Sequence, residues 1–281
     1  MAIITFCSED KKETGQTMSM VAIASCMAIE HNYKTLIVST EFDDMSLENV
    51  FWEQEKTGKF RKIINSTKDL EIDNGIEGLL KVIASNRISN EIVKNYSRTV
   101  LRGDRLDVLL PLKTRQYDEY LEDIKEYTKI LLIANRYYDM VFVDLSNKMS
   151  ENVRNDIKNL SDIVVLNFTQ KMQNIKQIEF LRESNEVYRK SKTMLLLGRY
   201  DGFSKYNIKN TTRYLKEKKM INVIPYNTLF FEACAEGNLI DFLLKIRNIT
   251  DESDRNFNFL NEVNKINKNI IYKLQELQMK M

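Results

Sequence analysis

Histidine, cysteine and proline are scarce in this sequence, and their scarcity excludes several kinds of catalytic site. The 281 residues include one histidine (His31), three cysteines and two prolines. A zinc site built on histidines is therefore excluded, and a Ser-His-Asp triad would have to use His31. The cysteines Cys7, Cys26 and Cys234 are odd in number and far apart, with no CxxC spacing. They predict reduced thiols in a cytosolic protein.

Long apolar runs and an excess of one charge are also missing. No stretch approaches the roughly 20 apolar residues of a membrane span, and the amino terminus lacks the basic start and apolar core of a signal peptide. We therefore expect a cytoplasmic protein without membrane attachment. The 42 basic and 40 acidic residues give a net charge of +2, which supplies no general attraction for nucleic acid. DNA stays open as a partner only through a local basic patch.

Short apolar segments alternate with helical patterns through most of the chain. The apolar segments predict seven strands, at 3–7, 35–39, 106–110, 140–144, 162–167, 193–197 and 221–224. Helices are predicted at 18–30, 116–136, 174–189 and 205–219, and the polar stretch 45–104 is predicted to be helical. The alternation indicates βαβ units and hence a doubly wound, mostly parallel α/β sheet. No linker divides the pattern, so we predict one domain over 1–248 and a helical tail over 249–281.

The loop after the first strand is poor in glycine, although its context is that of a phosphate-binding loop. A strand, a loop and a helix follow one another, and the Walker A pattern for such a loop is G-x-x-x-x-G-K-[ST]. Asp10 takes the first glycine position and Gln16 takes the lysine position, while Gly15 and Thr17 match. Glycines let backbone N–H groups approach phosphate, and the lysine neutralises it. The loop keeps the layout of a phosphate site but lacks that charge.

Three later segments extend the pattern. They are Tyr138-Asp139-Met140-Val141-Phe142-Val143-Asp144, which has the Y-D-x-V-I-I-D form of a Walker B strand, then Leu197-Gly198-Arg199-Tyr200-Asp201, and Ile224-Pro225-Tyr226-Asn227. Together with the loop they resemble the ParA/MinD group of deviant Walker ATPases, which includes the TadZ/CpaE-type localisation proteins of pilus assembly. The resemblance covers roughly residues 1–248 in order and spacing.

The resemblance implies a P-loop NTPase-like fold of the SIMIBI class, a homodimer, and ATP or ADP with Mg²⁺ as the ligand. Lys11 takes the place of the signature lysine that reaches the partner's nucleotide, so Lys11 and Asp144 are the candidate catalytic residues. Thr17 would supply a hydroxyl to Mg²⁺, and Asp144 an acid to its shell. The candidate nucleotide-binding residues are Lys11, Lys12, Gly15, Gln16, Thr17, Met18, Arg199 and Pro225.

Departures from the family pattern weaken the expected chemistry. Lys12 and Glu13 stand on two family glycines, and Ser39 and Glu41 stand where the family has D-x-D. Gln16 brings no charge to the transition state, and a carboxylate about 4 Å from phosphate costs roughly 4 kcal/mol at an effective dielectric near 20. We expect weak or absent ATP hydrolysis, and nucleotide binding itself stays open. Simpler interpretations also stay open, namely solvated loop lysines, a helix-capping Thr17 and an Asp144 that merely ends a strand.

The expected function is the spatial positioning or recruitment of a partner machinery, such as pilus, secretion or partition machinery. Two alternatives remain. One is an active ATP-dependent partition or positioning ATPase with an unusual loop, and the other is a DNA-associated partition factor. Retained affinity for ATP would favour the first alternative, and a contiguous basic face would favour the second.

Apolar residues spaced three and four apart form a heptad-like seam in the tail, at Leu260, Val263, Asn267, Ile270, Leu274, Leu277 and Met281. The one polar position, Asn267, is tolerable facing its own copy across a two-fold axis and costly on an apolar surface. We therefore predict that the seam supports self-association. Packing on its own domain is the alternative, and the modest basic excess disfavours membrane attachment.

Overall fold

A mostly parallel sheet of eight strands organises the computed structural model, which describes residues 1–10, 14–42, 44–53, 75–85, 89, 91–112, 117–189 and 191–279. The strands are β1 (Ala2–Cys7), β2 (Thr35–Ser39), β3 (Arg98–Leu101), β4 (Leu106–Leu109), β5 (Met140–Asp144), β6 (Ile163–Phe168), β7 (Thr193–Tyr200) and β8 (Asn222–Pro225). Their order across the sheet is β3-β4-β2-β5-β1-β6-β7-β8. Only β3 and β4 pair antiparallel among these strands. The predicted α/β fold class is confirmed.

The central strand β1 lies between β5 and β6, with Ile3 opposite Val141 and Phe6 opposite Asp144. All seven predicted strands belong to this sheet. The chain leaves β1 for β2 on one side and later crosses to β6 on the other side. The strand order therefore reverses beside β1, and in open α/β sheets ligands bind in the crevice at such a reversal, outside the carboxyl ends of the strands.

The eighth strand, β3, corrects the prediction that residues 45–104 are helical. It forms an edge hairpin with β4, and its first two residues, Arg98 and Thr99, are exposed. Gly103 and Asp104 turn the hairpin with φ values of +75° and +59°. A Gly-Asp pair with positive φ is a strong local hairpin signal, because it matches the twist of the flanking strands. The polar character of the segment concealed that signal.

Helices cover both faces of the sheet. Those in the described part of the chain are α1 (Gln16–Glu30), α2 (Ser46–Phe51), α3 (Gly75–Ala84), α4 (Ile92–Tyr96), α5 (Tyr117–Asp123), α6 (Tyr127–Ala134), α7 (Glu151–Leu160), α8 (Met172–Ser184), α9 (Glu186–Arg189), α10 (Ile208–Tyr214), α11 (Thr228–Ala235), α12 (Leu239–Ile246) and α13 (Arg255–Gln278).

Three predicted helices are shorter or interrupted. The helix predicted at 116–136 is divided by a 3₁₀ turn at Ile124–Glu126, and residue 116 lies outside the described residues. The one predicted at 174–189 stops before Asn185, whose side chain accepts a hydrogen bond from the Val187 N–H at 3.0 Å and begins a new turn. The one predicted at 205–219 begins after Asn207, an N-cap whose side chain accepts from Asn210 N–H.

The alternation of side chains along β1 fills two cores. Ile4 and Phe6 pack on the face covered by α1 and α13, whereas Ile3 and Cys7 pack on the face covered by α6, α7 and α8. All six residues of β1 are buried. A strand covered on both faces needs a continuous apolar run, which is what the sequence shows.

The carboxyl-terminal helix α13 packs on α1 and β8 of the same chain. The seam residues that face this core are Leu260, Val263, Asn267, Ile270 and Leu274. The prediction that the seam supports self-association is therefore wrong for these five residues, since the first helix and the last strand offer an apolar surface within the chain. Residue 281 of the seam lies outside the described residues. The described chain has no helix with the length and apolarity that crossing a bilayer requires.

Asn267 brings an unsatisfied amide into this core. Its side chain is 1% exposed, and neither its Oδ1 nor its Nδ2 has a hydrogen-bond partner among the described residues. A buried amide without partners costs about 1–3 kcal/mol. We expect Asn267→Leu to raise the free energy of unfolding by about 1–2 kcal/mol, measured by thermal and urea unfolding.

The exposed Asn261→Leu on the same helix is the matched control and should leave the midpoint unchanged. A loss of stability in Asn267→Leu, or a change in its oligomeric state by light scattering, would mean that the amide has a partner in an assembly.

The three cysteines are buried free thiols. Burial raises the pKa of Cys7 to about 11 and the pKa of Cys26 and Cys234 to about 12. At neutral pH these thiols stay protonated, and a protonated thiol is a poor nucleophile and metal ligand. The described residues contain no cluster of histidine, cysteine and acidic side chains able to hold a metal ion.

Candidate functional site

The candidate site lies at the carboxyl ends of β1, β2 and β5. The loop after β1 leads into α1, the turn after β2 carries Thr40 and Glu41, and the turn after β5 carries Leu145 and Ser146. Parallel strands end at the same edge of a sheet, so these three turns come together beside the reversal of strand order. Lys11, Lys12 and Glu13 lie outside the described residues.

Asp144 is the centre of the site. Its side chain accepts hydrogen bonds from Gln16 Nε2 at Oδ1 and from Thr17 Oγ1 at Oδ2, both at 2.6 Å. Gln16 Nε2 also donates to the Leu145 carbonyl at 3.1 Å. Burial raises the pKa of Asp144 to about 6, although the hydrogen bonds from Thr17 and Gln16 oppose that rise. The structure thus brings together three of the predicted site residues, because Gln16 and Thr17 both contact the buried carboxylate of Asp144.

Thr40 joins the ends of β2 and β5. Its Oγ1 donates to the Asp144 carbonyl at 3.0 Å and accepts from the Ser146 N–H at 2.8 Å. The Thr40 carbonyl accepts from the buried hydroxyl of Tyr120 at 2.8 Å. With every polar atom paired, Thr40 holds the two turns in a fixed relation, and it therefore positions the backbone that carries Asp144.

Asparagines hold the two ends of the loop that follows β1. Asn147 Nδ2 donates to the Asp10 carbonyl at 3.0 Å, and Asn174 Nδ2 donates to the Asp10 carboxylate. Asn167, near the carboxyl end of buried β6, donates its Nδ2 to the Thr14 carbonyl at 2.9 Å. Burial raises the pKa of Asp10, although Lys171 opposes that rise. Side-chain amides therefore fix the acceptor oxygens of Asp10 and Thr14, at the two described ends of the loop.

Two glycines permit the close approach of β7 to the loop. Gly15 has φ +71°, and a Cβ there would lie 3.0 Å from the Arg199 Cγ. A Cβ on Gly198 would lie 2.2 Å from the Thr14 carbonyl oxygen and 2.8 Å from Asn167 Nδ2. Arg199 itself has φ +53°. Gly198 stands where the ParA/MinD resemblance has asparagine, and the contact explains why a larger residue does not fit here.

Gly198→Ala should destabilise the protein because a backbone carbonyl, not a flexible side chain, lies in the way of the new methyl group. Overpacking of this kind costs about 1–3 kcal/mol. We expect a lower unfolding midpoint and faster amide hydrogen exchange at the Thr14–Gln16 segment. The control is Gly103→Ala, whose Cβ meets nothing within 4 Å and whose only penalty is the positive φ. Equal hydrogen exchange at the loop in both variants would contradict the contact.

Two adjoining cavities meet at Gly15 and Met18. The polar one, about 380 Å³, is lined by Asp10, Thr14, Gly15, Gln16, Thr17, Met18, Glu41, Asp44, Ser46, Leu145, Asn147 and Lys148. The apolar one, about 110 Å³, is lined by Gly15, Met18, Ser19, Arg199, Ile224, Pro225, Tyr226, Asn227, Phe230 and Phe231. The candidate residues that the sequence placed on distant segments, Arg199 and Pro225 among them, therefore line neighbouring walls.

The polar cavity is unusual for a polyphosphate site because acids predominate on its described walls. Asp10, Glu41 and Asp44 face one lysine, Lys148, whose Nζ lies 3.5 Å from the Glu41 carboxylate. Thr17 and Asp144 supply the hard oxygen donors that suit Mg²⁺. Both carboxylate oxygens of Asp144 are already hydrogen-bonded within the chain, so the described residues fit neither the phosphates nor a magnesium ion without a rearrangement of these contacts.

No protein-family model matches the sequence, and no curated protein matches it either. The structure is similar to that of a ParA family ATPase from Chlorobium tepidum, with a TM-score of 0.63, 16% identity, and coverage of 88% of this chain and 93% of that one. This chain has the ParA/MinD fold.

Two further structures share the ParA/MinD fold with this chain. The septum site-determining protein MinD of Pyrococcus horikoshii, complexed with Mg-ADP, gives a TM-score of 0.60 at 14% identity, covering 97% of this chain and 98% of that one. The MinC:MinD complex of Aquifex aeolicus gives 0.56 at 14% identity, covering 91% and 99%. At these identities the likeness shows the ParA/MinD fold alone.

Sequence reasoning missed the polar residues that support the site on this ParA/MinD fold. Thr40 follows directly after an apolar strand, and Asn167 interrupts one, so each gave a local signal of a polar group at a buried position. Asn174 and Asn147 gave no such signal, because they meet Asp10 only through the packing of segments that lie far apart in the sequence.

Proposed function

We propose that this protein is a ParA/MinD-like positioning or recruitment factor that hydrolyses ATP weakly or not at all. The observation that carries the proposal is the place of Gln16. Its neutral amide occupies the position of the Walker A lysine and donates to Asp144 at 2.6 Å. Pilus, secretion or partition machinery is the kind of partner that such a factor would position.

Phosphoryl transfer explains why one amide matters so much. Its transition state is stabilised almost entirely by positioning and by positive charge on the transferring group. Gln16 offers an N–H donor without charge, and that donor is already used by Asp144 and Leu145. A nucleotide in the cavity would meet a neutral amide that is already hydrogen-bonded, at the position where the ParA/MinD group has a positively charged lysine.

The acids of the polar cavity oppose polyphosphate as well. At about 4 Å, a carboxylate and a phosphate oxygen repel by roughly 4 kcal/mol at an effective dielectric near 20. Glu41 is partly neutralised by Lys148 and Asp10 feels the charge of Lys171, which leaves Asp44 as an acid without a salt bridge on the described walls. Weak nucleotide affinity follows, and a Mg²⁺ ion accompanying ATP or ADP would need Thr17 and Asp144 to leave their present contacts.

A contact surface beside the apolar cavity supports a role in binding a second copy or a partner protein. Tyr226, Leu229 and Phe231 each expose about half of their side-chain surface there, at 55%, 52% and 50%. Clustered exposed apolar side chains next to a pocket are typical of interaction surfaces. The MinD of Aquifex aeolicus is itself found in complex with MinC. We propose that this face forms the homodimer.

The proposal is tested by measuring binding of a fluorescent ATP analogue with and without Mg²⁺, together with phosphate release. We expect negligible turnover. Gln16→Lys combined with Glu13→Gly should strengthen binding at least about tenfold, because a lysine brings positive charge to the cavity. Gln16→Met with Glu13→Gly is the matched control, since it has a similar length and no charge, and it should not strengthen binding to that extent.

The competing function is an active partition or positioning ATPase, favoured by the retained pair of Thr17 and Asp144. Turnover comparable to that of ordinary partition ATPases, abolished by Asp144→Ala, would establish that function and refute the proposal.

A further inference from the structure

A cleft of about 650 Å³ opens at the amino ends of β7 and β8, on the opposite edge of the sheet from the candidate site. Met194 and Leu195 at the start of β7, and Ile221 directly before β8, form its apolar floor. The segment between α10 and β8 forms one wall, and the second half of α13 forms another. Its volume lies in the range of ligand and peptide sites, and nothing in the proposed function uses it.

Positive charge is concentrated on the rim. Lys216, Lys218 and Lys219 are exposed, line the cleft, and form no salt bridge within the described part of the chain. Lys273 and Arg182 also line it. The acids on its walls are Glu217, which pairs with Arg182, and Glu276. The whole chain carries a net charge of only +2, so this cleft is a local basic site on a nearly neutral protein.

The backbone at Lys216 shows that a lysine is held here against its conformational preference. Its φ is +54°, in the left-handed region that favours glycine. The Lys216 N–H donates to the Arg213 carbonyl at 3.2 Å and the Glu217 N–H donates to the Thr212 carbonyl at 3.0 Å, which ends the helical turn in a capping motif. Glycine is the usual residue at this capping position. The lysine places an ammonium group on the rim at the expense of local stability.

Apolar and aromatic side chains lie between the charges. Met220 is 54% exposed and Tyr272 is 61% exposed, and the Lys219 Nζ lies 5.6 Å from the centre of the Tyr272 ring. Exposed apolar side chains that adjoin one another beside a cleft are typical of interaction surfaces. The cleft therefore offers both ammonium groups and apolar contacts within one concave surface.

We propose that this cleft binds an acidic segment of a partner protein, with carboxylates on Lys216, Lys218 and Lys219 and apolar side chains on Met220 and Tyr272. The inference rests on the proposed recruitment function and names the surface that would carry it. Bidentate recognition of a phosphate group favours a free arginine fork, whereas Arg182, the arginine that lines the cleft, is engaged by Glu217. A nucleic acid duplex presents a convex backbone, which a concave cleft with an apolar floor matches poorly.

The test uses the full chain and fluorescence anisotropy with three labelled probes. They are a short peptide of alternating glutamate and leucine, a peptide of the same length with lysine in place of glutamate, and a DNA duplex. We expect the acidic peptide to bind and the basic one not to bind. Binding should weaken as salt rises from roughly 50 to roughly 300 mM, because the charges are exposed and screened.

Two variants locate the site. Lys218→Glu with Lys219→Glu should weaken acidic-peptide binding about tenfold, since two favourable pairs become repulsive. Lys216→Gly should weaken binding about threefold while raising the unfolding midpoint, because glycine suits the left-handed backbone. Lys209→Glu with Lys245→Glu reverses two exposed lysines outside the cleft and should change the affinity less than twofold.

Each contrary outcome overturns the inference. Equal peptide binding by the Lys218→Glu, Lys219→Glu variant places the contact elsewhere, and absence of peptide binding removes the site. Duplex binding that this variant loses, without peptide binding, assigns the cleft to nucleic acid. Phosphate release is measured on the same variants, so an active ATPase would refute the proposed function while leaving the peptide result intact.

Discussion

Glu9→Gln should destabilise the fold by about 3 kcal/mol, a large effect for the loss of a single charge. Glu9 follows β1 and accepts hydrogen bonds from Arg154 at 2.8 Å, from Lys158 at 3.4 Å and from the Tyr188 hydroxyl. Lys158 is 2% exposed and Arg154 is 9% exposed. Removing the carboxylate leaves two cations desolvated and without a counter-charge, which is the costly way to break a buried pair.

The sign of the pH dependence follows from the same contacts. Burial alone would raise the pKa of Glu9, but the Tyr188 hydroxyl and the charges of Lys158 and Arg154 hold it below its ordinary value. A carboxylate with a lowered pKa stabilises the fold above its unfolded pKa, and this stability is lost as the pH falls through the folded pKa. Glu9→Gln should therefore flatten the acid limb of the stability curve.

Urea unfolding across the acid range measures both effects. The matched control is Glu262→Gln, which removes the partner of Lys265 in an exposed pair on α13 and should cost less than about 0.5 kcal/mol. Adding Lys158→Met to Glu9→Gln should recover part of the lost stability, because the more deeply buried of the two cations is then removed together with the carboxylate. No recovery in the double variant would mean that Glu9 acts through something other than charge.

Asp144→Asn should stabilise the nucleotide-free protein by up to about 3 kcal/mol at neutral and higher pH. Burial raises the pKa of Asp144 from its ordinary 3.8 to about 6, so its ionised form is held at a cost in the folded state. A raised carboxyl pKa means that the folded protein binds the proton more tightly. The cost is therefore present above about pH 6 and is relieved as the pH falls toward 4.

An asparagine keeps the oxygen that accepts from Gln16, and its amide can donate to the Thr17 hydroxyl. Thermal unfolding at pH values on both sides of the transition should show the gain at high pH and its disappearance at low pH. Asp241→Asn, an exposed substitution on α12, should shift the midpoint little at either pH. A lower midpoint for Asp144→Asn at high pH would mean that the ionised carboxylate stabilises the site.

The sequence predicted the fold well because the strands that matter are covered on both faces. Seven mainly apolar runs produced seven strands of the sheet, and the resemblance to the ParA/MinD group pointed to Gln16, Thr17 and Asp144, which meet at its edge. The error at β3 has the opposite origin. An edge strand is half exposed, so Arg98 and Thr99 carry no apolar signal, and its turn residues were the only local clue.

The supporting residues of the site could not be predicted in the same way. Glu9, Asp10 and Asn174 contact partners that are far away in sequence, and those contacts depend on the register of helices against the sheet. A pattern read along the chain gives the residue types but not this register. The tail shows the same limit, since a seam with spacings of three and four fits a partner helix and its own domain equally well.

The docking of α13 on α1 has a consequence for synthesis of the chain. About 225 residues separate the end of α1 from the start of α13. At roughly 5–20 residues per second, the ribosome needs roughly 10–45 s to make them. Throughout that interval the apolar side of α1 that faces α13 has no cover, and β8, on which α13 also packs, is made only near its end. The nascent chain therefore exposes this surface until α13 has emerged, and it should depend on chaperones during translation more than its final stability would indicate.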